Sequence, residues 1–180
     1  MNISVFCGSS NPKNEEYADA ARALGRSLAE QGHTLLYGGS NLGLMGIVSG
    51  AAMECGGSVV GVIPTIFSEE IIRSQVVTEL VRVKSMAERK EYLIAHSDAF
   101  VALPGGIGTL DEVLEVMVAN QLRQIDKPMY LLNLDGFYNL FLEQLRAMHQ
   151  MGFVRKGAET SLYTVGSIEE LFLKLNQNKQ

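Results

Sequence analysis

The chain has 180 residues, of which 47% are hydrophobic and only 19% are charged, so it can build a full hydrophobic core and is not a disordered protein. This length is typical of a single domain, which we expect to span residues 1–180. The net charge of −5 argues against a general binder of nucleic acid or of membrane surfaces. Any positive charge that meets an anionic ligand must therefore be concentrated locally.

The cysteine content and the hydropathy pattern indicate the cellular compartment in which the protein is expected. Cys7 and Cys55 are too few for a disulfide framework, which fits a reducing environment, and we expect a cytoplasmic protein. Residues 1–6 lead directly into an apolar segment without a charged region before it, so we expect no signal peptide. No apolar run approaches the roughly 20 residues that span a bilayer, and we expect no membrane partner.

Short apolar runs alternate with amphipathic segments from one end of the chain to the other. The apolar runs predict strands at residues 3–7, 34–37, 58–63, 79–83, 98–103, 128–132 and 161–165. Helical periodicity predicts helices at residues 15–31, 44–55, 86–96, 108–123, 136–151 and 168–175, with residues 65–74 irregular or in a short helix. Continuous apolar strands separated by helices are typical of a parallel sheet covered on both faces. We therefore expect an α/β protein with a Rossmann-like, doubly wound, mainly parallel sheet of about seven strands.

Three clusters of glycine or serine follow predicted strands, at residues 8–10, 38–40 and 105–108. Ligands of doubly wound sheets bind outside the carboxyl ends of the strands. We expect the three clusters to converge on one edge of the sheet and to form a binding site there.

The most specific segment is PGGIGTLDE, residues 104–112, which follows a predicted strand and opens a helix. Its glycines let the backbone approach a ligand closely, and the helix N-terminus offers unpaired N–H groups to a phosphate. Glu112 then places a carboxylate one turn into the helix. The segment is neither a P-loop nor the dinucleotide fingerprint. Thr109 and Glu112 also have the spacing of a helix capping box, which is the alternative interpretation of that carboxylate.

Two further segments are candidates for ligand contact. GGSNLGLMG, residues 38–46, is a second glycine-rich turn between a strand and a helix, and it suits either a ribose or phosphate contact or a plain tight turn. Arg89 and Lys90 lie in the middle of a predicted helix. Adjacent basic residues usually form a solvated helix face, but in this acidic chain they are natural partners for an anion.

With these residues assembled, the chain resembles the LOG family. The family pattern PGGxGTxxE is matched at residues 104–112, and the preceding Met-x-x-Arg-Lys is matched at 86–90. CGSS at 7–10, YGG at 37–39, GLMG at 43–46 and Lys127-Pro128 extend the resemblance over most of the chain. It implies hydrolysis of the N-glycosidic bond of a nucleoside 5′-monophosphate, AMP or an N6-substituted AMP, to free base and ribose 5-phosphate. It also implies a homodimer that needs no cofactor and no metal.

The resemblance implies roles for individual residues. Arg89 and Glu112 would be the catalytic pair, and Lys90 would assist binding. Other expected contacts to substrate, led by those that hold the 5′-phosphate, are Gly105, Gly106, Gly108, Thr109, Ser9, Gly39 and Glu70, the last as the residue before Ile71.

The chain departs from the family pattern at two places. Ser40 stands at the third glycine of the YGGG pattern, and Val118 and Ala119 replace the usual Thr-Trp. The preferred base and N6 substituent therefore stay open.

Two other functions fit parts of the same pattern. A carrier that binds a nucleotide or cofactor without catalysis would need the glycine loop but not Glu112 with Arg89. An unrelated Rossmann-like enzyme of nucleotide-sugars or dinucleotides would carry an acidic residue about 20 positions after its first glycine turn, and none is convincingly placed.

Overall fold

Strands and helices alternate throughout residues 1–67, 77–154 and 161–177, which the computed structural model describes. The strands are β1 (Asn2–Phe6), β2 (Thr34–Tyr37), β3 (Ser58–Pro64), β4 (Glu79–Val83), β5 (Ala99–Ala102), β6 (Met129–Leu132) and β7 (Leu162–Val165). The helices are α1 (Glu15–Glu30), α2 (Gly43–Glu54), α3 (Met86–His96), α4 (Ile107–Gln121), α5 (Asn139–Gln150) and α6 (Ile168–Gln177). Glu70, Ile71 and most of the expected irregular segment 65–74 lie outside the described residues. None of the helices in the described ranges is long and apolar enough to cross a bilayer.

All seven strands belong to one sheet in the order β4-β3-β2-β1-β5-β6-β7, and every neighbouring pair is parallel. The chain first builds outward from β1 to β4 and then returns to place β5 on the other side of β1. The expected doubly wound parallel sheet is confirmed. Its topological switch point lies between β1 and β5, where sheets of this kind bind their ligands.

The sheet is buried on both faces because its strand residues alternate between two apolar layers. One layer joins the sheet to α1, α2 and α6 through buried residues such as Leu24 and Leu171. The other joins it to α3, α4 and α5 through residues such as Leu93 and Val113. This arrangement places α3 and α4 side by side on one face of the sheet, with the start of α4 directly after β5.

The predicted helix at residues 136–151 is wrong at its start. Residues Leu134–Gly136 form a 3-10 turn in which Asp135 and Gly136 have positive φ values of 48° and 71°, and α5 begins only at Asn139. The side chain of Asn133 builds the turn, since its Oδ1 accepts from the Tyr138 amide at 2.7 Å and its Nδ2 donates to Asn139 Oδ1 at 2.9 Å. Side-chain hydrogen bonds of Asn compete with helical ones in this way.

Candidate active site

A cavity of about 750 Å³ opens at the carboxyl ends of the central strands. It is lined by Gly8, Ser9 and Ser10 after β1, by Gly38 and Ser40 after β2, and by Gly105, Gly106 and Gly108 after β5. The three clusters therefore converge as the sequence predicted. The backbone links two of them directly, because the Gly8 amide donates to the Pro104 carbonyl at 3.3 Å across the switch point.

The glycine loop leaves the start of α4 without a side-chain cap. Gly106 occupies the N-cap position and contributes no capping hydrogen bond, whereas α1 and α3 are capped by the side chains of Asn14 and Ser85. Uncapped N–H groups at a helix start are donors for an anion. Gly105 is required here for space, since a Cβ on it would collide with the side chain of Thr109.

The capping-box interpretation of Glu112 is wrong. Thr109 lies inside α4, three positions after the N-cap, so it does not cap the helix. Glu112 instead accepts a hydrogen bond from Nη2 of Arg89, which α3 brings to the floor of the cavity. Only 7% of Arg89 and 4% of Glu112 are exposed, so the two charges form a buried ion pair.

Burial controls the ionisation of this pair. It raises the pKa of Glu112 above its ordinary value of 4.5, while the charge and hydrogen bond of Arg89 act in the opposite direction. Gly38 leaves room for the guanidinium, since a Cβ built there would lie 3.0 Å from Nη1 of Arg89. The Arg89 Nε atom is buried without a hydrogen-bond partner among the described residues. The site thus holds a carboxylate that is a stronger base than a free glutamate, beside a fixed cation.

Cys7, directly after β1, also lines the cavity, but its surroundings disfavour the nucleophilic thiolate form. Its thiol is buried, and burial together with the nearby charge of Glu112 raises its pKa well above the ordinary range. A thiol held in its neutral form packs as a small apolar group.

The other residues singled out from the sequence are placed as follows. Ser9 and Thr109 line the cavity. Gly39 lies between the lining residues Gly38 and Ser40, has a φ of 72°, and packs against β3. Lys90 is not part of the lining: its ammonium donates to Oδ2 of Asp111 at 3.0 Å and is paired with Glu115.

Sequence reasoning missed Asp111 and Glu115 in this region, and it identified Lys127 only through the family resemblance, without its contact to α3. Asp111 and Glu115 are four residues apart and so share one face of α4, a spacing that suits a lysine on a neighbouring helix. Lys127 donates from Nζ to the carbonyls of Ile94 at 2.7 Å and Ala95 at 3.3 Å, which caps the end of α3. The loop between α4 and β6 thereby fixes the helix that carries Arg89.

Comparison with known proteins places this architecture in a family. A family model described as "Possible lysine decarboxylase" matches residues 45–175. Cytokinin riboside 5′-monophosphate phosphoribohydrolase LOG5 of Arabidopsis thaliana is 42% identical over 177 residues, which are 98% of this chain and 78% of that protein. The LOG protein of Oryza sativa subsp. japonica, which has the same enzyme name, is 42% identical over 97% of this chain and 72% of its own length. The chain belongs to the LOG family.

Solved structures share the fold at lower sequence identity. The molybdenum cofactor binding protein of Rippkaea orientalis superposes with a TM-score of 0.75 at 23% identity, over 99% of this chain and 97% of that one. The Moco carrier protein of Chlamydomonas reinhardtii gives a TM-score of 0.74 at 25% identity, over 98% of this chain and 95% of that one. These similarities support the Rossmann-like fold.

Proposed function

We propose that this protein hydrolyses the N-glycosidic bond of purine nucleoside 5′-monophosphates, AMP or N6-substituted AMP, to free base and ribose 5-phosphate. The observation that carries the proposal is the buried pair of Arg89 and Glu112 beside an uncapped helix start in one cavity. The relatives at 42% identity are named for this reaction on cytokinin riboside 5′-monophosphates.

The 5′-phosphate would bind at the start of α4, where the amides after Gly106 and the Thr109 side chain meet it, with Ser9 on the adjoining cavity lining. Gly39 packs against β3 and would act only by supporting its lining neighbours Gly38 and Ser40. Cleavage of a glycosidic bond develops positive charge on the ribose, and a nearby carboxylate stabilises that charge. Glu112 would orient the ribose hydroxyls and take a proton from the attacking water, whose oxygen bonds to C1′ as the C1′–N bond breaks. The base leaves with the electron pair of that bond and takes up one proton from solvent, and Glu112 releases its proton to solvent to complete the cycle. Arg89 balances the charge of Glu112 and positions the substrate.

The test is product analysis with purified protein. AMP and isopentenyladenosine 5′-monophosphate are each incubated with the wild type and with Glu112→Gln, and free base and ribose 5-phosphate are measured by chromatography. We expect equal amounts of base and ribose 5-phosphate from at least one nucleotide, with a large loss of rate in Glu112→Gln and nucleotide binding retained. Unchanged turnover in the variant would remove Glu112 from the mechanism.

A carrier function is the competing proposal because related folds belong to proteins named for the molybdenum cofactor. A carrier would need the glycine loop but not the buried pair of Glu112 and Arg89 in the same cavity. Binding of nucleotide without release of base, in wild type and variant alike, would favour the carrier.

We also propose that the protein is a cytoplasmic homodimer that joins through α3 and α4. Leu114 and Val118 on α4 and Leu122 at its C-cap are exposed at four-residue spacing and form an apolar stripe. A groove beside it runs between the two helices and includes Ile94 and Ile125. A second copy of the chain would cover this stripe. Sedimentation velocity should give a dimer for the wild type and a monomer for Val118→Glu, and an unchanged dimer in the variant would exclude this surface.

A further inference from the structure

Lys90 connects α3 to α4 on the side away from the cavity. Its Nζ donates to Oδ2 of Asp111 at 3.0 Å and is paired with Oε2 of Glu115, so one ammonium holds two carboxylates of the neighbouring helix. The Lys90 side chain is only 17% exposed, although Asp111 is 57% exposed. The lysine is therefore fixed in place rather than free in solvent.

This outer connection is adjacent in sequence to the buried pair. Arg89 and Lys90 are consecutive on α3, and Asp111 and Glu112 are consecutive on α4. Neighbouring positions on a helix point in different directions, so the same two helices are joined once toward the cavity and once away from it. Any shift between the helices that breaks the outer contact also displaces Arg89 relative to Glu112.

We propose that Lys90 is a positioning residue: by holding Asp111 and Glu115 it sets α3 against α4 and seats Arg89 on Glu112. The inference rests on the proposed hydrolysis and assigns Lys90 a role other than contact with the substrate. Because catalytic rates are sensitive to displacements of about 1 Å, we expect the contact of Lys90 with α4 to affect the rate of the reaction rather than the affinity for substrate.

The same arrangement affects the ionisation of Glu112. Among the described residues, four charged or titratable groups interact electrostatically with this carboxyl: Arg89 and Lys90 from α3, Asp111 from α4 and the Cys7 thiol directly after β1. Lys90 lowers the pKa of Glu112 and Asp111 raises it, both as minor contributions beside burial.

The test compares four variants. Two are the single variants Lys90→Met and Lys90→Arg, one is the double variant Asp111→Asn/Glu115→Gln, and one is the triple variant that adds Lys90→Met to that double variant. We expect Lys90→Met to lower kcat about tenfold with KM nearly unchanged, and Lys90→Arg to restore most of the rate. The carboxylate pair should give the same loss, and the triple variant should lose no more, because both changes break one connection. Lys84→Met is the matched control, since Lys84 is exposed just before α3, and near-UV circular dichroism verifies that each variant is folded.

Two results would overturn the inference. A rise in KM for Lys90→Met with full activity in Asp111→Asn/Glu115→Gln would make Lys90 a direct substrate contact, while the proposed function stands. A wild type that releases no base from any nucleotide would refute the proposed function itself, and the positioning role would fall with it.

Discussion

Helices α3 and α4 are joined by two ionic connections that differ in what burial does to them. At the inner one, burial raises the pKa of Glu112 despite the opposing charge of Arg89, so the carboxylate is held where its charged form is disfavoured. At the outer one, the hydrogen bond with Glu115 raises the pKa of Lys90, so its charged form is favoured. The inner pair provides the reactive groups of the site at a cost in stability. The outer connection holds the two helices in position. A favourable ion pair at the surface can thus hold in place a neighbouring buried pair that is itself unfavourable for stability.

The largest expected effect comes from removing one charge of the inner pair. Arg89→Met leaves Glu112 buried without a counter-charge and should lower the free energy of unfolding by about 3 kcal/mol at neutral pH. The pKa of Glu112 then rises further above its unfolded value, so the loss is present above that pKa and is relieved as the pH falls through it. Urea unfolding of wild type and variant at about pH 8 measures the loss of stability, and the same comparison at about pH 5 measures how far the loss is relieved.

The control for this prediction removes both charges. Arg89→Met/Glu112→Gln should recover most of the lost stability, because no unpaired charge is left in the interior. A double variant as unstable as Arg89→Met, or a loss that does not change with pH, would mean that packing rather than charge explains the result.

The inner and outer connections should respond differently to conservative exchange. Arg89→Lys keeps the charge but loses the planar guanidinium that fits between Gly38 and Glu112, so kcat/KM should fall about 100-fold, which is about 2.7 kcal/mol. Lys90→Arg should stay close to the wild type. Steady-state kinetics with one nucleotide give kcat/KM for both variants. Equal losses in Arg89→Lys and Lys90→Arg would contradict the proposed difference between the inner and outer connections.

The glycine loop on the cavity side should tolerate a methyl group at one position and not at another. Gly105→Ala forces a contact with Thr109 and should cost about 2 kcal/mol of stability and weaken nucleotide binding. Gly108→Ala meets nothing within 4 Å and lies in the first turn of α4, so its effect on the free energy of unfolding should be neutral or slightly stabilising, although Gly108 lines the cavity and the added methyl group can weaken AMP binding. Thermal unfolding and isothermal calorimetry with AMP compare the two, and similar behaviour would show that the loop is not packed as described.

The fold could be predicted from the sequence because strand and helix signals were strong and local. Continuous apolar runs and glycine turns specified seven strands and their parallel pairing. The start of α5 could not be predicted, since the side chain of Asn133 makes a turn that replaces the first helical residues. Such a competition between side-chain and backbone hydrogen bonds is invisible to periodicity.

The site was predictable to the extent that it lies in contiguous motifs. The loop at residues 104–112 and the Arg89-Lys90 pair were both identified, and Arg89 and Glu112 meet in the structure. Which of Arg89 and Lys90 faces the cavity could not be inferred, because that depends on how α3 is rotated against α4. That rotation depends on packing against the sheet, on the contact of Lys127 with the end of α3 and, in our proposal, on the ion pairs of Lys90 with α4.

The smallest expected effect is the pH dependence that the inner pair gives to the reaction. If Glu112 accepts a proton from water, only its ionised form is active, and the rate should rise with pH through the pKa of this carboxyl. Because burial raises that pKa, the acid limb of kcat/KM should have its midpoint above 4.5, the ordinary value for glutamate. A profile of kcat/KM against pH in buffers of constant ionic strength measures it. A midpoint at or below 4.5 would show that Arg89 outweighs burial in the free enzyme, and the inner pair would then resemble the outer one.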